Sequence, residues 1–374
     1  MSLIKNRKKF ALILIPLSWL YGLAVGIRHF FYKVGILRSK EYPIPVFCVG
    51  NITVGGTGKT PHVEYIVSIL KKNYNVAVLS RGYKRKTKGL IEVLEDSKVI
   101  EVGDEPLQIK QKFPDVTVVV SESRRKAIEW LLNFKEPKID VIVMDDGYQH
   151  LAVKANIYIL LIDFNNPIYK DHLLPYGNLR ESVHHKSKAN IIIVTNTPEN
   201  ILPIEKRIIM KDIGIFPYQH LFFSRIEYKS PVVVFPGTFS AVKYSFTKFK
   251  YYVLLVTAIA NAEPLKEYIK KFAIDIIHLE YPDHYYFKPK DIVTIVEKYE
   301  QIVNEKKVII TTEKDAIRLR ETEQKELLEK LPVFYIPIEV EFLFNDKNKF
   351  NQELIEYVRK NQPISSFYSG KNKV

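Results

Sequence analysis

Between residues 42 and 196, short apolar runs alternate with longer segments in which apolar positions recur at helical spacing. The short runs are rich in valine and isoleucine, and most lack polar alternation, which is typical of strands covered on both faces. Strands of this kind that alternate with helices form a mostly parallel sheet, so the pattern predicts a doubly wound α/β fold. We predict strands at residues 46–51, 75–80, 116–121, 141–145, 157–163 and 190–196.

A shorter α/β pattern follows a break near residues 217–229, with predicted strands at residues 232–235, 274–280 and 308–312. Two extended segments, residues 221–227 and 333–344, are predicted to pair as a two-stranded connector. A cleft between two domains is a usual place for a ligand. The predicted units are an N-terminal helix at residues 1–40, a larger α/β domain at 41–220, a connector at 221–232 and 333–345, a smaller α/β domain at 233–332, and a C-terminal helix with a polar tail at 346–374.

The first predicted strand runs into a glycine-rich loop. Residues 46–60 read VFCVGNITVGGTGKT, and a helical pattern follows at residues 63–70. The N–H groups of such a loop, its lysine and its threonine surround the phosphates of a nucleoside triphosphate and a magnesium ion. The alternative is a structural turn that caps a helix. The predicted nucleotide contacts are Thr53, which stands where the general pattern has glycine, and Val54, Gly55, Gly56, Thr57, Gly58, Lys59 and Thr60.

The strand at residues 141–145 ends in two adjacent carboxylates, Asp145 and Asp146. A carboxylate at this place in a phosphate-loop enzyme holds the magnesium ion that the loop threonine also contacts. Neighbouring side chains on a strand point in opposite directions. We therefore predict a Mg²⁺ site formed by Thr60, Asp145 and Asp146, in which one aspartate binds directly and the other acts through water or accepts a hydrogen bond. A turn that uses Asp-Gly for its geometry is the alternative.

Five titratable positions in other loops are further candidates. Asp104 stands at a predicted helix start, where the alternative role is capping the helix. Arg124 follows the strand at residues 116–121 and is placed to offset charge on a transferring phosphoryl group. Arg180 and Glu181 end the loop that begins at residue 174, and they are expected to form an ion pair there. His284 follows Pro-Asp in a loop, where a histidine is more often a surface residue than a catalyst.

The charge of the chain is concentrated at its N-terminus. The 374 residues include 56 Lys and Arg and 42 Asp and Glu, a net charge of +14. Residues 1–40 contain no acidic residue. They include an eighteen-residue apolar run at 10–27, with basic residues on both sides of it. That length is at the short edge of the roughly 20 residues that span a bilayer, and Pro16 is expected to kink the helix. We predict a membrane-associating helix that either spans or lies in the interface.

Two other interpretations of this segment are a secretory signal peptide and a buried core helix. Export would carry a nucleotide-binding loop away from its nucleotide, which argues against the signal peptide. The single cysteine, Cys48, excludes an internal disulfide and fits a reducing compartment. The sequence contains no zinc-type cluster and no nucleic-acid-binding motif, so we expect no nucleic-acid partner.

Taken together and in this order, the motifs resemble the tetraacyldisaccharide 4'-kinase family, the lipid A 4'-kinases of Gram-negative bacteria. The resemblance covers nearly the whole chain, and the loop with Thr53 is similar to the family's own loop. Its motifs are the basic apolar N-terminus, GNITVGGTGKTP, SRGY, VGDEP, DDGYQH, LLPYGNLRE, ANAEPL, YPDH and TTEKDAIRL.

The resemblance implies a P-loop NTPase-like kinase that uses ATP and Mg²⁺. It implies transfer of the γ-phosphate of ATP to the 4'-hydroxyl of tetraacyldisaccharide 1-phosphate, giving the lipid A precursor lipid IVA. The expected location is the cytoplasmic face of the bacterial inner membrane, where the N-terminal helix contacts the lipid surface.

The resemblance also implies roles for residues of both predicted domains. Asp104 is expected to be the catalytic base and His284 its assisting histidine, while Lys59 holds the phosphates and Arg124 offsets their charge. Secondary candidates for contact with substrate or metal are Gln149, His150, Arg180 and Glu181.

Two other classes of protein share some of these features. A nucleotide switch or assembly ATPase would have the loop and the aspartate pair, but it would need no base from a second domain. A membrane-surface binding protein with a relic loop would bind lipid and have no nucleotide chemistry. Lipid-dependent phosphate transfer distinguishes the kinase from both.

Overall fold

The computed structural model describes residue 7 and residues 9–134, 136–237 and 244–361. The predicted polar tail after residue 362 lies outside the described residues, as do residues 1–6 and 8 of the predicted N-terminal unit. The strands in chain order are β1 (Val46–Gly50), β2 (Val76–Ser80), β3 (Ile91–Val93), β4 (Thr117–Val120), β5 (Val141–Asp145), β6 (Ile157–Asp163), β7 (Ile191–Thr195), β8 (His220–Tyr228), β9 (Val232–Val233), β10 (Tyr251–Thr257), β11 (Ala273–Glu280), β12 (Lys307–Thr312), β13 (Val333–Ile336) and β14 (Ile338–Phe342).

Helices connect most of these strands, and two short 3₁₀ segments, Ile168–Lys170 and Val183–Lys188, lie in loops. The α-helices in chain order are α1 (Ala11–Lys33), α2 (Lys59–Leu70), α3 (Val99–Val102), α4 (Asp104–Lys112), α5 (Arg124–Leu132), α6 (Pro203–Ile213), α7 (Glu263–Ile269), α8 (Pro289–Glu300), α9 (Glu313–Arg320), α10 (Lys325–Glu329) and α11 (Lys347–Asn361).

The larger sheet of the described residues has nine strands in the order β14-β8-β7-β6-β1-β5-β2-β4-β3. Its strands are parallel except at the two edges, where β3 and β14 each run antiparallel to their neighbours. The predicted doubly wound, mostly parallel fold is confirmed, and the ends of the six predicted strands agree to within one residue. β3 was not predicted, because three residues at a sheet edge give too short a pattern.

The smaller sheet has the order β11-β10-β12-β13-β9 and is parallel except for the pair β13 and β9. Three of its strands overlap predicted ones, whereas β10 was not predicted. The division of the chain into domains stays a prediction.

The predicted connector pairs in part. β8 and β14 run antiparallel, with Tyr228 opposite Ile338 and Ser224 opposite Phe342. The predicted extended segment at 333–344 is divided, since β13 belongs to the smaller sheet and β14 to the larger. Pro337 lies between them, and proline has no N–H with which to continue a ladder. The two sheets are therefore joined here through a single residue.

Apolar side chains fill both faces of the larger sheet. Along β1, Phe47 and Val49 belong to one buried cluster, and Val46 and Cys48 belong to the cluster on the other face. This alternation follows from the two-residue period of a strand. The strand ends where a Cβ on Gly50 would come 2.8 Å from the Cβ of Tyr148. Gly50 therefore packs closely against Tyr148, and the segment after β1 begins at the carboxyl edge of the sheet.

Helix α1 exposes its apolar side chains. Leu12 is 93% exposed and Trp19 75% exposed, and Ser18 is the one buried residue of the helix. Among the described residues, α1 alone is long and apolar enough to cross a membrane by length and composition. The interpretation as a buried core helix is therefore wrong. Pro16 lies inside α1, which continues as one helix past it.

Candidate active site

The glycine-rich loop lies at the carboxyl end of β1 and leads into α2. Gly55 and Gly58 have φ angles of +109° and +75°, a region that L-residues with a side chain rarely adopt. Thr53 forms an isolated antiparallel bridge with Leu179, and the N–H of Val54 donates to the carbonyl of Asn178 at 2.8 Å. A bridge of this kind suits an extended residue, so the usual glycine is not needed at position 53.

The Lys59 ammonium, at the first position of α2, reaches the end of β5. Its Nζ lies 3.8 Å from Oδ1 of Asp146. Arg180 donates to the same oxygen at 3.1 Å and also to Asn51. Burial raises the pKa of Asp146, but Lys59 and Arg180 outweigh it and hold that pKa below its usual value. The structure therefore brings Lys59, Asp146 and Arg180 together beside the loop.

Asp145 lies deeper than Asp146 and is fully buried. Its Oδ2 accepts a hydrogen bond from Ser80 Oγ at 3.2 Å, while its Oδ1 has no hydrogen-bond partner. Burial, with the charges of Glu105 and Asp146, raises the pKa of Asp145 to about 7. A buried carboxylate oxygen without a donor, next to a second carboxylate, fits a divalent cation with oxygen ligands.

Asp104 opens α4 and faces the smaller sheet. Its Oδ2 lies 2.8 Å from Nδ1 of His284 and 3.6 Å from Nζ of Lys314, and it accepts a hydrogen bond from Arg318. Burial raises the pKa of Asp104, but the His284 hydrogen bond and the charges of Lys314 and Arg318 hold it well below its usual range. The Asp104 carboxylate, on a helix beside the larger sheet, thus contacts three side chains from elements of the smaller sheet's part of the chain: His284, Lys314 and Arg318.

His284 is fixed in the loop that follows β11. Its φ angle is +58°, and its N–H donates to the carbonyl of Ala258 at 3.1 Å. The imidazole packs edge-on against Tyr83 at 5.2 Å between ring centroids, and Lys84 donates to the carbonyl of Asp283 at 3.2 Å. Tyr83 and Lys84, in the loop after β2, therefore contact the loop that carries His284.

The residues of α9 that complete this cluster were not predicted from the sequence. Arg318 joins Asp104 to Asp315, whose Oδ1 lies 2.7 Å from its guanidinium. Lys314 lies 2.8 Å from Oε1 of Glu105. The motif TTEKDAIRL carries a signal for this arrangement, because Asp315 and Arg318 are spaced i, i+3 on one helix face. Their contact with Asp104, 214 positions away from Arg318, has no local signal.

Arg124 lies beneath the strand ends. Its guanidinium is buried and donates to the carbonyls of Ser121 at 2.6 Å and Asp145 at 3.3 Å. Burial lowers the pKa of Arg124 to about 10. The predicted charge-offsetting role of Arg124 stays a prediction, with its side chain bound to backbone in this structure.

Gln149 and His150 follow the aspartate pair, and Gln149 links the segment after β1 to helix α1. Gln149 donates to the carbonyl of Asn51 at 2.6 Å, and Arg28 of α1 donates to the carbonyl of Gln149 at 3.0 Å. Burial, with the charges of Arg124 and Arg81, lowers the pKa of His150 to about 4. His150 is thus a neutral group at ordinary pH.

Glu181 is not paired with Arg180 as expected. Its carboxylate lies 3.2 Å from Nε2 of His29 in α1 and 3.5 Å from Nδ1 of His185. The neighbouring Arg180 accepts a hydrogen bond on its carbonyl from the Tyr21 hydroxyl at 2.8 Å. The prediction of an ion pair between Arg180 and Glu181 is therefore wrong. Arg180 binds Asp146, while Glu181 contacts His29 of α1.

A cavity of about 240 Å³ lies between the phosphate loop and the smaller sheet. Polar groups from both sides line it, among them Lys59, Thr60, Glu105, Thr312 and Lys314. Its apolar wall is formed by Tyr228, Ile259, Leu265, Ile336 and Ile338. The lining therefore includes both the phosphate loop and apolar side chains, a combination that suits a nucleotide.

Comparisons with known proteins agree over nearly the full length. A family described as tetraacyldisaccharide-1-P 4'-kinase matches residues 10–359. The tetraacyldisaccharide 4'-kinase of Bacteroides thetaiotaomicron is 44% identical over 367 residues, which are 96% of each chain. That of Flavobacterium johnsoniae is 39% identical over 349 residues, covering 93% of this chain and 97% of the relative.

A solved structure has the same architecture. The crystal structure of LpxK from Aquifex aeolicus in complex with ATP matches with a TM-score of 0.70 and 28% identity, and the match covers 94% of this chain and 99% of that chain.

Proposed function

The chain belongs to the tetraacyldisaccharide-1-P 4'-kinase family, and from this premise we infer that it transfers the γ-phosphate of ATP to the 4'-hydroxyl of tetraacyldisaccharide 1-phosphate. The product is the 4'-phosphorylated lipid A precursor lipid IVA. One observation carries the assignment of the site: Lys314 lines the cavity together with the phosphate loop, and its Nζ lies 3.6 Å from Oδ2 of Asp104 and 3.3 Å from Nε2 of His284.

We propose that the two sheets belong to two domains, residues 41–220 and 233–332, that close around ATP. Lys59 and the N–H groups of the loop bind the phosphates, and the apolar end of the 240 Å³ cavity takes the nucleoside. Closure excludes water, which would otherwise compete with the sugar as phosphoryl acceptor.

The two carboxylates at the end of β5 supply the oxygen ligands that Mg²⁺ prefers, which supports a Mg²⁺ site there. Asp145, with its unpaired buried Oδ1, and Asp146 would hold the ion together with Thr60. When bound, the ion supplies positive charge to the β- and γ-phosphates. Arg180 and Lys59 both contact Oδ1 of Asp146 and orient its carboxylate.

Asp104 receives the proton of the sugar hydroxyl. A bond forms between the 4'-oxygen and the γ-phosphorus, and the bond from the γ-phosphorus to the bridging oxygen of ADP breaks. Because phosphoryl transfer passes through a loose transition state, the hydroxyl needs orientation early and proton removal late. A carboxylate with a low pKa suits that order of events, and His284 keeps it oriented.

Helix α1 supports a location at the cytoplasmic face of the inner membrane. Its apolar side chains are exposed, and Arg28 and Lys33 near its C-terminal end suit anionic headgroups. The lipid substrate would meet the site at the bilayer surface through its sugar headgroup.

The test is transfer of labelled phosphate from ATP to tetraacyldisaccharide 1-phosphate in detergent micelles. Lipid-dependent transfer by the wild type, lost in Lys59→Ala and in Asp104→Ala, supports the proposal. ATP consumption at the same rate without lipid would instead identify a P-loop ATPase, and full activity of Asp104→Ala would exclude Asp104 as the base.

A further inference from the structure

We propose that Lys314 is a second phosphate-binding lysine, which contacts the transferring phosphoryl group from the side of the cleft opposite Lys59. The inference rests on the proposed kinase function and adds a catalytic residue from the smaller sheet. Three observations carry it: the place of Lys314 in the cavity, the groups that hold its ammonium, and the chemistry of that ammonium.

Lys314 is the second residue of α9, directly after β12. The hydroxyl of Thr312 caps this helix by accepting the N–H of Asp315 at 3.0 Å. The Lys314 side chain lines the 240 Å³ cavity together with Gly56, Gly58 and Lys59 of the phosphate loop. A ligand whose phosphates lie on that loop therefore shares its cavity with Lys314.

The ammonium already contacts the proposed catalytic pair. Nζ lies 3.6 Å from Oδ2 of Asp104, 3.3 Å from Nε2 of His284 and 2.8 Å from Oε1 of Glu105. The side chain is 18% exposed. Burial alone would lower the pKa of Lys314, but the charges of Glu105 and Asp104 outweigh it, so the pKa is raised and the group stays charged.

A purely structural salt bridge does not account for this arrangement. Asp104 already accepts hydrogen bonds from His284 and Arg318, and the Arg318 bond is enough to link α9 to Asp104 without Lys314. Lys314 adds a cation to a carboxylate that already has strong partners, at a position open to the cavity. A flexible lysine with three donors can exchange these carboxylates for phosphoryl oxygens without a change in the helix that carries it.

The expected contribution is to the reaction step. Charge on the phosphoryl oxygens is spread over the moving group in the transition state, and Lys59 approaches it from the loop side alone. One positioned donor of this kind is worth about 10²–10³-fold in kcat. Because ATP is bound mainly through the loop, loss of Lys314 should leave the affinity for ATP nearly unchanged.

The first experiment compares Lys314→Met with Lys270→Met in the micelle assay. Lys270 is a control lysine of the same half of the chain that is 62% exposed and pairs with Glu267. We expect Lys314→Met to lower kcat by about 100-fold or more and the KM for ATP to change by less than about fivefold. The control should stay within about twofold of wild type.

A second variant separates charge from folding. Lys314→Cys can be alkylated with 2-bromoethylamine, which rebuilds a lysine-like ammonium. The natural Cys48 is buried, and burial raises the pKa of its thiol to about 12, so it should not react. We expect alkylation to recover at least about tenfold of the lost kcat, whereas iodoacetamide, which adds a neutral group, recovers none.

Several outcomes would overturn the assignment. These are a kcat for Lys314→Met within about threefold of wild type, a loss confined to the KM for ATP, or equal recovery with the neutral and cationic reagents. A wild type without lipid-dependent transfer would be a different failure, since it would refute the kinase function rather than the role of Lys314.

Discussion

Nδ1 of His284 lies 2.8 Å from Oδ2 of Asp104, although the two residues are 180 positions apart in the chain. The pair joins the first helix turn of α4 to a loop of the smaller sheet. The proposed base, Asp104, is oriented by His284 through this contact. The pair exists only when these two parts of the structure are in contact.

Asp104→Asn should lower kcat by about 10²–10⁴-fold, because the amide keeps the shape of the carboxylate but accepts no proton. His284→Ala should cost less, and the double variant should be no slower than Asp104→Asn alone, since the two groups act as a unit. Single-turnover transfer with saturating ATP measures these effects. Additive losses would show that the two residues act independently.

Asp145→Asn should stabilise the magnesium-free protein at pH 8. The pKa of Asp145 is raised to about 7 in the fold, against roughly 3.9 when unfolded. Between these values the folded state binds the extra proton, so this carboxyl makes the free energy of unfolding fall as pH rises to about 7. The variant should gain ~1 kcal/mol or more at pH 8 and progressively less toward pH 5.

Added Mg²⁺ provides the matched comparison for that prediction. Thermal unfolding at pH 8 should shift upward with Mg²⁺ in the wild type and less in Asp145→Asn, because the asparagine lacks the charge that binds the ion. Equal shifts in both proteins would place the ion elsewhere.

Arg318→Met should destabilise the protein by about 3 kcal/mol, since it leaves the buried carboxylates of Asp104 and Asp315 without their shared partner. Arg318→Met combined with Asp315→Asn should recover part of that loss by removing one of the two charges. Urea unfolding measures both variants. A loss below about 0.5 kcal/mol for the single variant would contradict the buried network.

Trp19→Glu and Leu12→Glu should weaken binding to vesicles that contain anionic lipids. Each removes an exposed apolar side chain of α1 that is worth about 2 kcal/mol when buried in a bilayer, which corresponds to roughly 30-fold in partitioning. Vesicle sedimentation gives the measurement, and Leu327→Glu, on an exposed position of α10, is the control. Unchanged binding in both variants would mean that α1 does not enter the lipid.

The sequence contains most of the information about the centre of the larger sheet, because the six strands predicted there are local apolar runs. The phosphate loop and the Asp145–Asp146 pair are equally local. Tyr251–Thr257 has the same kind of apolar run and is a strand of the smaller sheet, which the sequence analysis does not give. Nothing in these residues explains why this strand was not predicted.

Other features could not be predicted, since they depend on contacts between distant parts of the chain. Arg318 reads as one basic residue of a helix until Asp104 is brought to it. Glu181 follows Arg180 directly and invites an ion pair, yet the fold gives Glu181 to His29 and Arg180 to Asp146. The fold selects these partners by bringing distant segments together, which no local pattern in the sequence indicates.

Helix α1 contacts the segment that also orders the proposed Mg²⁺ site, since the Tyr21 hydroxyl donates to the carbonyl of Arg180, whose guanidinium binds Asp146. A helix resting in lipid would therefore set the height of the catalytic centre above the bilayer to within a few side chains. Encounter between enzyme and lipid substrate would then become a search within a plane. In such a search the amount of membrane, and not the volume of the cell, sets the effective substrate concentration.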